Sequence, residues 1–238
     1  MDRLRVFAPA NRLERYLPQF LASCGRHGIH PVLLGAGCPQ AGPDAGPGFL
    51  RRYLEQVPGH RLVLFLDPRH AVFQRGPEAI AAAYRDLGHP LVVAGRRARR
   101  RTDPAAAATP AGPGPYRWPD ADAWVGEADA LLALLAAGAG DGPPADAPEG
   151  WRTALERYVL DHPGCCRVDR DGVIFHPCDD DADLDCAGGA VRSRATGATP
   201  CVLLGDHRTD LAAVLRALGL PTRPFAGRTA SPAPALVE

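Results

Sequence analysis

Apolar runs of strand length alternate along the first half of the chain with segments whose apolar positions recur at helical spacing. The runs are LRVFAP (4–9), HPVLLG (30–35), RLVLFLD (61–67) and PLVVAG (90–95). Between them lie RLERYLPQFLASCGRHG (12–28), closed by Gly28, then FLRRYLEQV (49–57), then PEAIAAAYRDLG (77–88) with proline at its first turn. The run at 61–67 is continuously apolar, as a strand covered on both faces requires. This order predicts an α/β fold, a mostly parallel sheet flanked by helices.

The second half reads less regularly. A Gly/Pro loop is expected at 35–48, and the basic cluster RRARRR (96–101) opens a longer loop that covers about 98–115. DADAWVG (120–126) leads into a helix, EADALLALLAAG (127–138), and a linker at 139–149 precedes the amphipathic helix WRTALERYVLD (151–161). Short strands are expected at CCRVD (165–169) and GVIFH (172–176), joined by a turn at Arg170, Asp171 and Gly172. PCVLLG (200–205) reads as a late strand and TDLAAVLRALG (209–219) as the last helix. One domain is expected over 1–220, followed by a disordered Pro/Ala-rich tail over 221–238.

Composition narrows the chemistry. The 27 basic residues balance 27 acidic ones, so neither bulk nucleic-acid binding nor an anionic membrane surface is indicated. Every basic residue is arginine, which excludes lysine-based chemistry. With so much Ala, Gly and Pro, this has the look of GC-rich coding, and a bacterial chain is expected. The N-terminus has no apolar signal core, and no run of about 18 apolar residues exists to span a membrane. A cytoplasmic protein is expected, and the seven cysteines, which form no CxxC, read as reduced thiols. No GxSxG, HExxH, GxGxxG or P-loop occurs.

Candidate chemistry collects at strand ends, where ligands sit in open α/β sheets. In LVLFLDPRHAVF (62–73) the apolar strand delivers Asp67 to a turn, and His70 follows three residues later. Such a pair suits a divalent ion, with the imidazole favouring Mn²⁺ or Zn²⁺. The plainer alternative has Asp67 capping its turn and His70 on the surface. GDHRTD (205–210) offers Asp206 or His207 as a further ligand to the same site, or a helix start capped near Thr209. The acidic run DDDADLD (179–185) fails as a calcium loop. Counted from Asp181, Cys186 stands where glycine is needed and Arg192 where the bidentate Glu belongs, so a solvated acidic loop is expected.

The order of these segments over most of 4–219 resembles the glycosyltransferase domain of the procollagen lysyl hydroxylases and the related procollagen galactosyltransferases. RLERYLPQFLASCGRHGIHPVLLGAG resembles its opening, and GPGFLRRYLEQV its glycine-rich segment and helix. LVLFLDPRHAVF resembles its metal-binding strand end, and WPDADAWVG its Asn-Ser-Gly segment. RYVLD followed by VDRDGVIFH, and finally PCVLLGDHRTDLAAVLRALG, resemble its closing motifs. Asp67, Gly126, Asp169, Ile174, Phe175 and Gly205 are kept. The departures fall on site positions. His70 replaces the second metal-binding Asp, Phe49 or a neighbour a lysine, and Asp120, Ala121 and Asp122 the Asn-Ser-Gly. Gly150, Trp151 and Arg152 replace an Asp-Asp-Gln, and Leu204 a His, with His207 three residues on.

The resemblance implies a GT-A-like, Rossmann-like fold and a UDP-sugar donor held with Mn²⁺. Asp67, His70 and His207 are then the metal ligands. Asp120 and Asp122 face the sugar or acceptor as catalytic candidates. Arg152 and Gly205 contact the donor, with the arginines at 96–101 as further phosphate contacts. The acceptor is left open. A second reading is a catalytically inactive descendant that binds or scaffolds.

Overall fold

The computed structural model describes residues 4–36, 46–98, 113–137, 150–206 and 208–224. The expected loops at 37–45, 99–112 and 138–149, His207 and the tail from 225 lie outside the described residues.

The first half follows the predicted alternation: β1 (Arg5–Pro9), α1 (Leu17–Arg26), β2 (Val32–Leu34), α2 (Gly46–Leu54) and β3 (Leu62–Leu66). After a short β4 (Ala71–Phe73) come α3 (Pro77–Leu87) and β5 (Leu91–Arg96). Helix α3 starts with Pro77, whose missing N–H costs nothing there, and stops at Gly88 in the left-handed conformation (φ 68°). The second half adds β6 (Trp118–Glu127), α4 (Ala128–Ala137), α5 (Gly150–Asp161), β7 (Cys166–Asp169) and β8 (Phe175–Pro177). A 3₁₀ turn (Asp181–Asp183), β9 (Leu184–Ala187), β10 (Ala190–Ser193), β11 (Val202–Leu204) and α6 (Ala212–Ala217) complete it.

The main sheet has the order β2-β1-β3-β6-β5-β7. Pairing is parallel for β1 with β2 and β3, and for β5 with β7. Strand β6 runs antiparallel to both β3 and β5, so five strands point one way and β6 opposes them. The segment expected only to approach a helix at 120–126 is thus the longest strand of the sheet. Its start, not its end, lies beside the carboxyl ends of β3 and β5. The pairing of β5 shifts from Val93↔Trp124 to Ala94↔Asp120, leaving residues 121–123 opposite no β5 residue. Such an irregularity re-aims side chains, and here it falls at the strand-end face.

A second sheet, β4-β11-β8, collects the chain after it leaves β3. Strand β11 runs antiparallel to β4 and parallel to β8. Two core clusters cover the two faces of the main sheet: one includes α1, α3 and residues of β4, β8 and β11, the other α2, α4 and α5. Trp124 and Phe65 stack in the second, ring centroids 4.6 Å apart. A third cluster joins α6 to the β9–β10 hairpin and the second sheet. No described helix is long and apolar enough to cross a membrane.

Two expectations in the second half need correction. The acidic run is not a solvated loop throughout. It turns at Asp181–Asp183 and feeds the β9–β10 hairpin, and Asp183 is buried. The reason is its partners: Arg97 Nη2 lies 2.6 Å from Oδ2, and Tyr116 donates its hydroxyl hydrogen to the same carboxylate. The last helix is shorter than its apolar pattern suggested, because Asp206 and Thr209 bracket a turn first. The Asp206 N–H donates to Thr209 Oγ1 at 2.9 Å, and the Thr209 N–H donates to Asp206 Oδ1 at 2.8 Å. The helix itself begins after Leu211, which caps it with no side-chain bond.

Candidate functional site

The turn after β3 is built around one carboxylate. Asp67 is 6% exposed, and its backbone N–H donates to Asp122 O at 2.9 Å, which ties the turn to the start of β6. The carboxylate accepts the backbone N–H of Arg69 at Oδ1 (3.0 Å). It also accepts the Arg69 guanidinium on both oxygens, Nε to Oδ1 at 2.9 Å and Nη2 to Oδ2 at 2.5 Å. Burial alone would push the Asp67 carboxyl up, but the Arg69 bonds and charge outweigh it and hold it below the usual range. Arg69 in turn is pushed further towards its charged form by Asp67, with Glu14 and Asp122 adding to the effect. Arg69 Nη1 lies 3.5 Å from Glu14 Oε1, so the loop after β1 joins the cluster. That loop also contains Arg15, a non-glycine residue with a positive φ of 48°. Such strain concentrates at functional sites.

His70 closes the turn. It is half-buried rather than on the surface, and its Nδ1 is buried with no hydrogen-bond partner. Burial pushes the imidazole down to about 4, against the opposing pull of Asp67. Its carbonyl accepts the Gly205 N–H at 2.7 Å, which links the end of β11 to the turn. A Cβ on Gly205 would stand 3.0 Å from Thr209 Cβ, so this glycine serves close packing beneath the site. Asp206, offered as a third metal ligand, instead accepts the N–H groups of Arg208 (2.6 Å) and Thr209 and the Thr209 hydroxyl.

Asp120 and Asp122 come together across the same edge. Both are half-buried, on one face at the start of β6, and the Asp122 N–H donates to Asp120 Oδ1 at 3.1 Å. Arg152, in the first turn of α5, places Nη1 2.6 Å from Asp122 Oδ1. One turn on, Glu156 lies 3.2 Å from Arg96 Nη1 in a buried ion pair, and Arg96 also donates to Pro119 O. Helix α5 is therefore pinned to the start of β6 through Arg152 and to the end of β5 through Glu156, two opposite-sense pairs at i and i+4.

The structure thus brings Asp67, His70, Asp122, Arg152 and Gly205 to one end of the sheet and adds two residues that sequence reasoning passed over, Arg69 and Glu14. The signal for Arg69 was present: a guanidinium two residues after an aspartate, inside a proline turn. Of the basic cluster, Arg96 and Arg97 are committed to Glu156 and Asp183, and Arg99 to Arg101 lie outside the described residues. Among the described residues no three His, Cys, Asp or Glu side chains group as metal ligands, and His207 is not one of the described residues. The donor set of the turn does not fit Mn²⁺, since both oxygens of its carboxylate already hold a guanidinium.

Several kept positions are structural. The Asp169 carboxylate is fully buried and accepts three backbone N–H groups, from Val173 (3.0 Å), Ile174 (2.7 Å) and Phe175 (2.8 Å). Ile174 and Phe175 are core residues, and so is Leu204, which stands where the resemblance has a His. A Cβ on Gly126 would meet Pro90 O at 2.7 Å, a close approach only glycine permits. The six described cysteines carry free thiols.

No protein-family model matches the chain. No curated protein matches it either. Among solved structures, a glycosyltransferase involved in the glycosylation of the major capsid of PBCV-1 aligns with 90% of this chain and 97% of its own, at TM-score 0.53 and 13% identity. A197 from STIV aligns over 54% of this chain and 66% of its own at 15% identity, and its TM-score of 0.36 is too low to bear on the fold. The likeness that counts spans nearly the whole of both chains, and the chain has a glycosyltransferase-like α/β fold.

Proposed function

We propose that the chain is a glycosyltransferase that binds a nucleotide-sugar donor at the carboxyl ends of β3 and β11 and the start of β6. One observation carries the reading. In a fold shared with a glycosyltransferase, the charged residues Asp67, Arg69, Asp122 and Arg152 gather at the strand-end edge where such folds bind ligands. In the reaction, the bond from the anomeric carbon to the donor diphosphate breaks and the diphosphate leaves with its electron pair. A bond from an acceptor oxygen to that carbon forms, and the acceptor proton passes to a carboxylate, here Asp120 or Asp122. The segment resemblance to procollagen-type domains supports a UDP-sugar as donor, and that support rests on the sequence segments alone. The manganese it also implies is not carried over, because Arg69 occupies the Asp67 oxygens.

A second reading keeps the donor site without turnover. It is favoured by Arg152, which falls in the segment where the procollagen-type domains that the sequence resembles have an Asp-Asp-Gln, and which pairs with Asp122. Release of UDP from a panel of UDP-hexoses, with water taking the hexosyl group in place of the acceptor, separates the two. The transferase reading predicts release above the buffer rate, lowered by about 10²-fold or more in Asp120→Asn/Asp122→Asn. Binding of UDP without release from any donor selects the second reading, and neither binding nor release contradicts both.

A further inference from the structure

We infer that Arg69 and Arg152 do the work of a divalent cation at this site and hold the donor diphosphate without metal. The inference rests on the nucleotide-sugar reading and goes beyond it. A hard cation binds through carboxylate lone pairs. At Asp67 those lone pairs accept one backbone N–H and a two-pronged guanidinium, within 3.2 Å on both oxygens. An incoming ion would have to displace a charge-assisted bidentate pair from a buried carboxylate. No second carboxylate follows Asp67 within the turn, where His70 supplies an imidazole instead. What the turn presents instead is a fixed guanidinium charge, paired with Asp67 and, at 3.5 Å, with Glu14.

The guanidinium is well placed to use it. Arg has five N–H donors in a planar fork that matches phosphate oxygens. Arg69 directs Nε and one edge of Nη2 at Asp67, and its side chain remains 22% exposed. The rest of the fork is turned away from Asp67, with Nη1 3.5 Å from Glu14 Oε1. Across the edge, Arg152 is held at Asp122 and is 27% exposed. The Asp67 N–H donates to Asp122 O at 2.9 Å, so the turn that carries Arg69 is tied to the residue whose carboxylate holds Arg152. In this arrangement Asp67 and Asp122 orient cations that belong to the chain, where a metal-dependent site would use its carboxylates to collect one. A chain with no lysine has only arginine to supply such contacts.

Calorimetric titration of the full chain with UDP, in EDTA and in Mn²⁺, tests this. The expected result is binding in EDTA within about threefold of that in Mn²⁺, weakened about tenfold or more by Arg152→Met. Arg69→Met alone strands a buried carboxylate, so the paired change Asp67→Asn/Arg69→Met is used, and it too should weaken binding in EDTA about tenfold or more. Wild-type binding that vanishes in EDTA and returns with Mn²⁺ would overturn the inference and leave the donor site standing. Variants that bind UDP in EDTA as tightly as wild type would also overturn it. No UDP binding under either condition would overturn the nucleotide-sugar reading itself.

Discussion

Arg69 grips the carboxylate of Asp67, two residues before it in the same turn, with Nη2 to Oδ2 at 2.5 Å and Nε bridging both oxygens. The pair decides the electrostatics of the strand end, because Asp67 is buried and would otherwise be driven towards its neutral form. Breaking a buried pair from one side leaves an uncompensated charge. Arg69→Ala is predicted to cost about 2–3 kcal/mol, below the fully buried case because Arg69 is partly exposed. Asp67→Asn/Arg69→Met should recover all but about 1 kcal/mol, since no charge is then stranded. Urea denaturation at pH 7 with unchanged slopes measures both.

Asp169 organises the connection between β7 and β8 by accepting three backbone N–H groups. Removing the acceptor leaves those donors buried. Asp169→Ala is predicted to destabilise by about 3 kcal/mol or more, and Asp169→Asn by less, since its amide oxygen still accepts. A thermal melt of the two variants against wild type reads the order directly.

Tyr116 is the hub of a second buried network. Its hydroxyl donates to Asp183 and lies 2.9 Å from His176 Nε2 and 3.0 Å from Ser193 Oγ. Asp183 is held in its charged form by Tyr116 and Arg97 against the cost of burial. Tyr116→Phe keeps the ring and removes the hydroxyl, and is predicted to cost about 1–3 kcal/mol in chemical denaturation.

Acid should loosen the fold through its histidines. Burial pushes His70 down to about 4 and lowers His176 as well. Between the ordinary histidine value near 6.5 and the folded value, the unfolded chain binds a proton that the native one does not. Stability therefore falls as pH drops through that window and is unaffected by these groups above it. NMR titration of the ring protons should place the His70 midpoint well below 6, and denaturation midpoints should be lower at pH 5 than at pH 7.

Most of the main sheet was legible because β1, β2, β3 and β5 are short apolar runs between clear helical segments. Strand β6 was not. Pro119, Asp120 and Asp122 break its apolar pattern, and they are there because the start of this antiparallel strand faces the site. The β9–β10 hairpin was hidden for a related reason: Asp183 looks solvated in a run of aspartates, but its charge is satisfied by Arg97 and Tyr116, distant in sequence. At the site itself, spacing pointed to Asp67 and His70 as the chemical pair. Arg69, one of the two residues between them, proved to be the partner, because a guanidinium two positions on can fold back onto the carboxylate of its own turn. Asp122 and Arg152 were each singled out for other reasons, and only the packing of α5 on β6 joins them.

The proposed function requires a nucleotide-sugar donor at the strand-end edge marked by Arg69 and Arg152, and a crystal structure of the chain with UDP checks this. The nucleotide is expected at the ends of β3 and β11, with diphosphate oxygens within hydrogen-bond distance of Arg69 and Arg152. Nucleotide bound elsewhere on the molecule, or this edge left without nucleotide at saturating UDP, would contradict it.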